Sequence, residues 1–131
     1  MDNKFKKTIL IDLDGVLNEY TGNFDKDFIP PIKMGAKEFL EDLSNEYEIK
    51  LFTTRNRLLA AKWLINNKVD KYISDITNVK DVCFLFIDDR CLKFEGDFGK
   101  IESQIRDFKV WEEVKDEFEY AVGLEDFIPH L

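Results

Sequence analysis

The chain has 131 residues, enough for one domain with a single core and too few for a second of any size. With 44% hydrophobic and 35% charged residues it has a globular rather than a disordered composition, and its 12 phenylalanines suggest a well-filled core. A formal charge of -8, from 27 acidic and 19 basic residues, argues against a broad electrostatic grip on nucleic acid or on an anionic membrane, although a local basic groove is compatible with it.

Residues 8–11, Thr-Ile-Leu-Ile, are too few for a helix and too apolar for a loop, so they read as a strand buried on both faces. Asp12 and Asp14 stand at its exit, and Gly15 lets the backbone turn sharply beside them. Residues 19–31 combine Gly22, aromatic and acidic residues and Pro30-Pro31 without periodicity, which predicts a loop or a short hairpin. A helix is expected over 34–45, with Ala36, Phe39, Leu40 and Leu43 on one face. A second strand, 48–52, ends at Thr53-Thr54-Arg55, and a second helix, 58–67, turns Leu59, Ala60, Trp63 and Leu64 inward. Tyr72-Ile73 starts a candidate edge strand. Residues 83–87 form the next strand and run straight into Asp88-Asp89-Arg90. Beyond it a turn is expected at 95–97, a helix at 100–108, a last strand at 109–111 and an acidic helix at 112–120.

The longest apolar run, 82–87, is far short of the roughly 20 residues that span a bilayer, and Asp12 and Asp14 interrupt the lysine-led apolar segment near the start. A cytoplasmic protein is therefore expected. Cys83 and Cys91 lack metal-binding spacing and read as reduced structural thiols.

Strands alternating with helices imply parallel crossovers and a three-layer α/β/α sandwich. Ligands bind such sheets at the carboxyl ends of the strands. Parallel alignment of the three clear strands gathers Asp12, Asp14, Thr53, Thr54, Arg55, Asp88, Asp89 and Arg90 on one rim. Carboxylates so crowded repel one another and lose hydration, which calls for a cation, hydrogen bonds or a shared proton as an offset. A metal is the offset this pattern favours. Hard oxygen ligands suit Mg²⁺, and there is no Cys or His cluster of the kind zinc uses. His130, the single histidine, lies in the tail, so acid and base work falls to carboxylates.

The segment IDLDGVLN resembles the first motif of the haloacid dehalogenase (HAD) superfamily, IKLFTTR resembles the second, and VKDVCFLFIDDR the third and fourth. The resemblance covers about 8–110 and leaves an acidic stretch, about 111–131, outside it. It implies a single HAD-like domain over 1–131 with a parallel Rossmann-like sheet and minimal or no cap, because 19–31 is too short for a cap insertion. The implied activity is Mg²⁺-dependent hydrolysis of a phosphomonoester through an aspartyl phosphate.

Carried across position by position, the resemblance makes Asp12 the nucleophile and a metal ligand. Asp14 would protonate the leaving oxygen and later activate water, its backbone carbonyl helping to hold the metal. Thr53, or second to it Thr54, would bind phosphoryl oxygens. Lys80 would neutralise their charge, or else is a solvated lysine before a strand. Asp89 would be the direct metal ligand and Asp88 would act through a water, or the two exchange roles. Arg55 and Arg90 would either contact substrate phosphate or pair with the neighbouring acids. The implied partner is a phosphorylated small molecule or the exposed phosphate of a larger one. The IDDR ending is also similar to nucleotidases and to the phosphatase half of polynucleotide kinase-phosphatases, so a nucleotide or a nucleic-acid end is an alternative substrate. A phosphoacceptor signalling receiver, a different class, also sets acids, a Thr and a Lys at strand ends, but with its acidic pair on the first strand and its phosphorylated Asp later.

Overall fold

A computed structural model describes residues 5–108, and the chain divides into two compact units, Met1–Asp89 and Arg90–Leu131. The first unit contains β1 (Lys7–Asp12), α1 (Ala36–Ser44), β2 (Tyr47–Phe52), α2 (Arg57–Asn66), a single 3-10 turn (Asp70–Tyr72), β3 (Asp75–Thr77) and β4 (Leu85–Ile87). The described part of the second unit contains α3 (Phe98–Asp107). All strands are parallel, in the order β3-β2-β1-β4, which gives an α/β fold with a Rossmann-like sheet.

The successive crossovers through α1 and α2 run in the same direction, and right-handed connections then put both helices on one face. The core agrees. Ile9, Ile11, Ile49 and Leu51 point to that face and form one cluster with Ala36 and Leu40 of α1 and with Ala60, Trp63 and Leu64 of α2. Leu10, wholly buried, alternates to the opposite face, where it pairs with Phe86, whose ring meets Phe52 edge-on at 5.2 Å. Burial of each such Leu or Ile contributes about 1.5–3 kcal/mol, so β1, central and covered on both sides, anchors the sheet.

Local signals explain the helix limits. The Asn56 side chain accepts from the Leu59 N–H at 3.0 Å to start α2, and Asp97 accepts from the Gly99 and Lys100 N–H groups to start α3. Lys68 then leaves the helical region at φ 60° and turns the chain out of α2.

Some expectations shift. The edge strand lies at Asp75–Thr77, and Tyr72 ends the 3-10 turn instead, because Tyr72 and Ile73 pack against the core beside α1 and α2. Strand pairing in β4 begins at Leu85, with Cys83 and Phe84 leading into it. Phe39 is half exposed rather than inward. Residues 19–31 form a hairpin-like excursion closed by isolated bridges, Asn18 to Ile32 at its base and Asp25 to Phe28 at its tip. The expected strand 109–111 and helix 112–120 lie outside the described residues. Neither cysteine is in a disulfide, and no helix among the described residues is long and apolar enough to cross a membrane.

Candidate functional site

The chain leaves β1 toward β2 on one side and later returns to pair β4 on the other, so the strand order switches between β1 and β4. The carboxyl ends of strands flanking such a switch frame a crevice that backbone connections do not fill. Ile11 pairs with Ile87, and the next residues in the two strands' direction are Asp12 and Asp88. Carboxylate oxygens of Asp12, Asp88 and Asp89 lie within 4.8 Å of one another.

Burial, then the charges of Asp88 and Asp89, push the Asp12 carboxyl up to about 7, with a smaller push from Asp14 and a partial offset from a hydrogen bond with the Leu13 backbone. Gly15 is required here twice over. Its φ is +88°, and a Cβ at this position would fall 2.2 Å from Asp89 Oδ2.

Asp14 is held differently. Arg55 Nε donates to its Oδ2 at 2.9 Å and Asn18 Nδ2 donates to its Oδ1 at 3.0 Å. The Arg55 side chain is 1% exposed. Its Nη1 donates to the Asp25 carbonyl at 2.8 Å, and the Phe24 ring covers the guanidinium at 4.5 Å. Arg55 is thus a structural partner of Asp14 and of the 19–31 excursion. Trp63 Nε1 ties the far end of that excursion to α2 through the Pro30 carbonyl at 3.0 Å.

Thr53 is buried beside this pair, its N–H donating to the Thr77 carbonyl and its Oγ1 accepting from the Arg55 N–H at 3.1 Å. Thr54 is exposed and lines a cavity of about 610 Å³ together with Phe24, Lys26, Arg55, Leu58 and Lys62. Lys80 is exposed, and its ammonium lies 5.8 Å from the centre of the Phe86 ring, on the sheet face to which Asp12 alternates. Lys80 makes no hydrogen bond or ion pair with the carboxylates among the described residues. Arg90 belongs to the second unit.

Two residues that the sequence did not single out help to build the site. Asn18 is fully buried, and its Oδ1 accepts from the Gly15 and Tyr20 N–H groups at 3.1 Å each, which fixes the turn that carries Asp14. Its place four residues after Asp14, inside IDLDGVLN, was the available signal. Lys33 donates from Nζ to the Gly15 carbonyl at 3.2 Å and brings a cation to the same turn. No sequence pattern announces that contact, since it depends on the path of the excursion.

No family model matches the chain, and no curated protein matches it. Its fold is similar to that of a solved structure of a conserved protein from Bacteroides thetaiotaomicron, with 23% identity, coverage of 84% of this chain and 98% of that one, and a TM-score of 0.53.

Proposed function

We propose that the chain is a Mg²⁺-dependent phosphomonoester hydrolase of the HAD type, acting through an aspartyl phosphate on Asp12. The observation that carries this reading is the convergence of the Asp12, Asp88 and Asp89 oxygens within 4.8 Å at the switch point of a parallel sheet. The donor set consists of hard carboxylate oxygens, and the rise of Asp12 to about 7 reflects burial and negative charge that a divalent cation would offset. Asp12, Asp88 and Asp89 would hold the ion, with the Asp14 carbonyl as a further ligand by resemblance. When bound, Mg²⁺ would cancel repulsion between phosphate and carboxylate and polarise the phosphoryl group.

An Asp12 carboxylate oxygen attacks phosphorus, and the ester P–O bond breaks with its electron pair going to the leaving oxygen. Asp14 gives that oxygen a proton. Water then attacks the phosphorus of the aspartyl phosphate and loses a proton to Asp14, and the bond to Asp12 breaks to restore the carboxylate and release phosphate. Arg55 and Asn18 keep Asp14 in one orientation through both steps. Thr53 accepts at Oγ1 from the backbone, so its own O–H is the proton that would bind a phosphoryl oxygen. Lys80 shares the sheet face of Asp12 and would swing from the Phe86 ring to neutralise the phosphate.

The test is hydrolysis of an aryl phosphate with and without Mg²⁺, wild type against Asp12→Asn. Loss of the nucleophile is expected to lower turnover at least about 1,000-fold. A wild type inert toward every ester, or a variant with full activity, would leave the rim as a non-catalytic metal or partner site, and the substrate proposals would fall with the mechanism.

A further inference from the structure

Resting on the phosphatase reading, we infer that the cavity between the tip of the 19–31 excursion and the start of α2 seats the leaving group, and that this group joins a planar ring to a second phosphate. The cavity shares a wall with the acidic site. Arg55 lines it and also holds Asp14 through Nε. Its charge is opposite to that of the protein as a whole: the chain carries a formal -8, yet the residues lining this cavity include three cations, Lys26, Arg55 and Lys62, against one carboxylate, Asp27, and the cations still outnumber the acids when Asp14, the partner of Arg55, is counted. Such a local reversal concentrates anions where the surrounding surface repels them.

The cations are available in different degrees. Lys26 contacts Asp27 at 3.3 Å in a pair exposed on both sides, which solvent weakens. Lys62 is exposed on α2 and has no hydrogen bond or ion pair among the described residues. Arg55 Nη2 is buried without an acceptor among the described residues, although Nε and Nη1 are satisfied. An anionic oxygen is the acceptor that such a donor lacks.

The rest of the wall is apolar. Phe24 is 56% exposed and Leu58 65% exposed, both large side chains left facing the cavity with Leu59. An exposed ring already lying over a guanidinium offers its other face to a second flat group. A small aliphatic ester such as glycerol phosphate would use none of this surface. A nucleoside carrying two phosphates has the combined chemistry: one phosphate for the acidic site, a ring for Phe24 and Leu58, and another phosphate for Lys62 and Lys26.

Three esters separate these contributions at fixed Mg²⁺: glycerol 3-phosphate, adenosine 5′-monophosphate and adenosine 3′,5′-bisphosphate. The expected kcat/KM rises in that order, with the step from mono- to bisphosphate about fivefold, as for one screened ion pair. Lys62→Glu should abolish that step and Phe24→Ala should reduce the preceding one, while Lys37→Glu on α1, equal in charge change, should alter neither. Equal kcat/KM for the three esters, or a bisphosphate preference that survives Lys62→Glu, would overturn the assignment. Calorimetric binding of the bisphosphate to Asp12→Asn, with and without Lys62→Glu, reads the cavity independently of turnover. Binding weakened about fivefold by Lys62→Glu, in a protein whose wild type hydrolyses nothing, would sustain the cavity and refute the phosphatase. Turnover of aryl phosphate with no bisphosphate binding would do the reverse.

Discussion

The two ends of one sheet treat carboxylates in opposite ways. At the amino end, Glu48 on β2 accepts hydrogen bonds from Thr8 at 3.2 Å and from Ser74 at 3.0 Å, so each oxygen of the carboxylate has a hydroxyl partner. At the carboxyl end, Asp12, Asp88 and Asp89 face one another within 4.8 Å, and Asp12 is driven up to about 7. The same fold satisfies an acid with neutral donors where nothing else is asked of it. At the other end three carboxylates crowd one rim, and under the phosphatase reading a divalent cation would offset their mutual repulsion.

The largest expected effect comes from Arg55, the buried ion-pair partner of Asp14. Replacing Arg55 by Leu removes the partner of a half-buried carboxylate, frees the Asp25 carbonyl and uncovers Phe24. A loss of about 3 kcal/mol is expected, as for other broken buried pairs, read as a lower urea midpoint at unchanged slope. A loss below about 1 kcal/mol, the range of surface pairs, would mean that Arg55 does not organise the site.

Gly15→Ala comes next. The positive φ costs about 1–2 kcal/mol for a residue with a Cβ, and the new methyl collides with the Asp89 carboxylate at 2.2 Å. Displacing Asp89 is expected to weaken Mg²⁺ affinity about 10-fold or more, as for changes beside metal ligands, by calorimetric titration. Retained affinity would show that Asp89 is not needed for the ion and would leave that role to Asp88.

Much of this comparison was legible in the sequence because it rests on short-range signals. Residues 8–11 and 48–52 are apolar runs too short to be helices, and both sit inside observed strands that end at the acids and threonines expected. The edge strand was misplaced because Asp75-Ile76-Thr77 has a single apolar side chain and its pairing comes from β2, whereas the apolar Tyr72 and Ile73 pack beneath a turn. Asp12, Asp88 and Asp89 were readable as a group because strand ends bring them together. Pairing of Arg55 with a neighbouring acid was one of the two readings open for it, but that the acid is Asp14 was not legible, since the pair joins residues 41 apart and depends on the turn fixed by Asn18. Lys33 was hidden for the same reason.

A smaller effect links the two ends through pH. With a chelator present, the folded chain is expected to keep a proton on Asp12 up to about pH 7, while the unfolded chain loses it near the ordinary aspartate value of 3.8. The folded state binds more protons in that interval, so its stability falls as pH rises through it, and the full deficit is present above the folded value. At 1.36 kcal/mol per unit the ceiling is about 4 kcal/mol, and partial exposure reduces it to about 1–2 kcal/mol. Asp12→Asn should flatten this slope in chelator, and Mg²⁺ should flatten it in the wild type. A wild-type slope equal to that of Asp12→Asn would remove the electrostatic account of the rim.

The smallest effect is the sharpest test of the contrast itself, because it makes one chemical change at both ends. Glu48→Gln keeps an acceptor for Thr8 or Ser74, whose hydroxyls can rotate, and is expected to shift stability by no more than about 0.5 kcal/mol. Asp88→Asn removes a charge that pushes on Asp12, so in chelator it should reduce the same pH slope, and with Mg²⁺ it should lose the stabilisation that the ion is expected to give the wild type. A Mg²⁺ stabilisation present in the wild type and in Glu48→Gln but lost in Asp88→Asn is what a cation site at one end and plain packing at the other require. If Mg²⁺ stabilised Asp88→Asn as much as it stabilises the wild type, Asp88 would not be one of the ion's ligands and the two ends would not differ in kind.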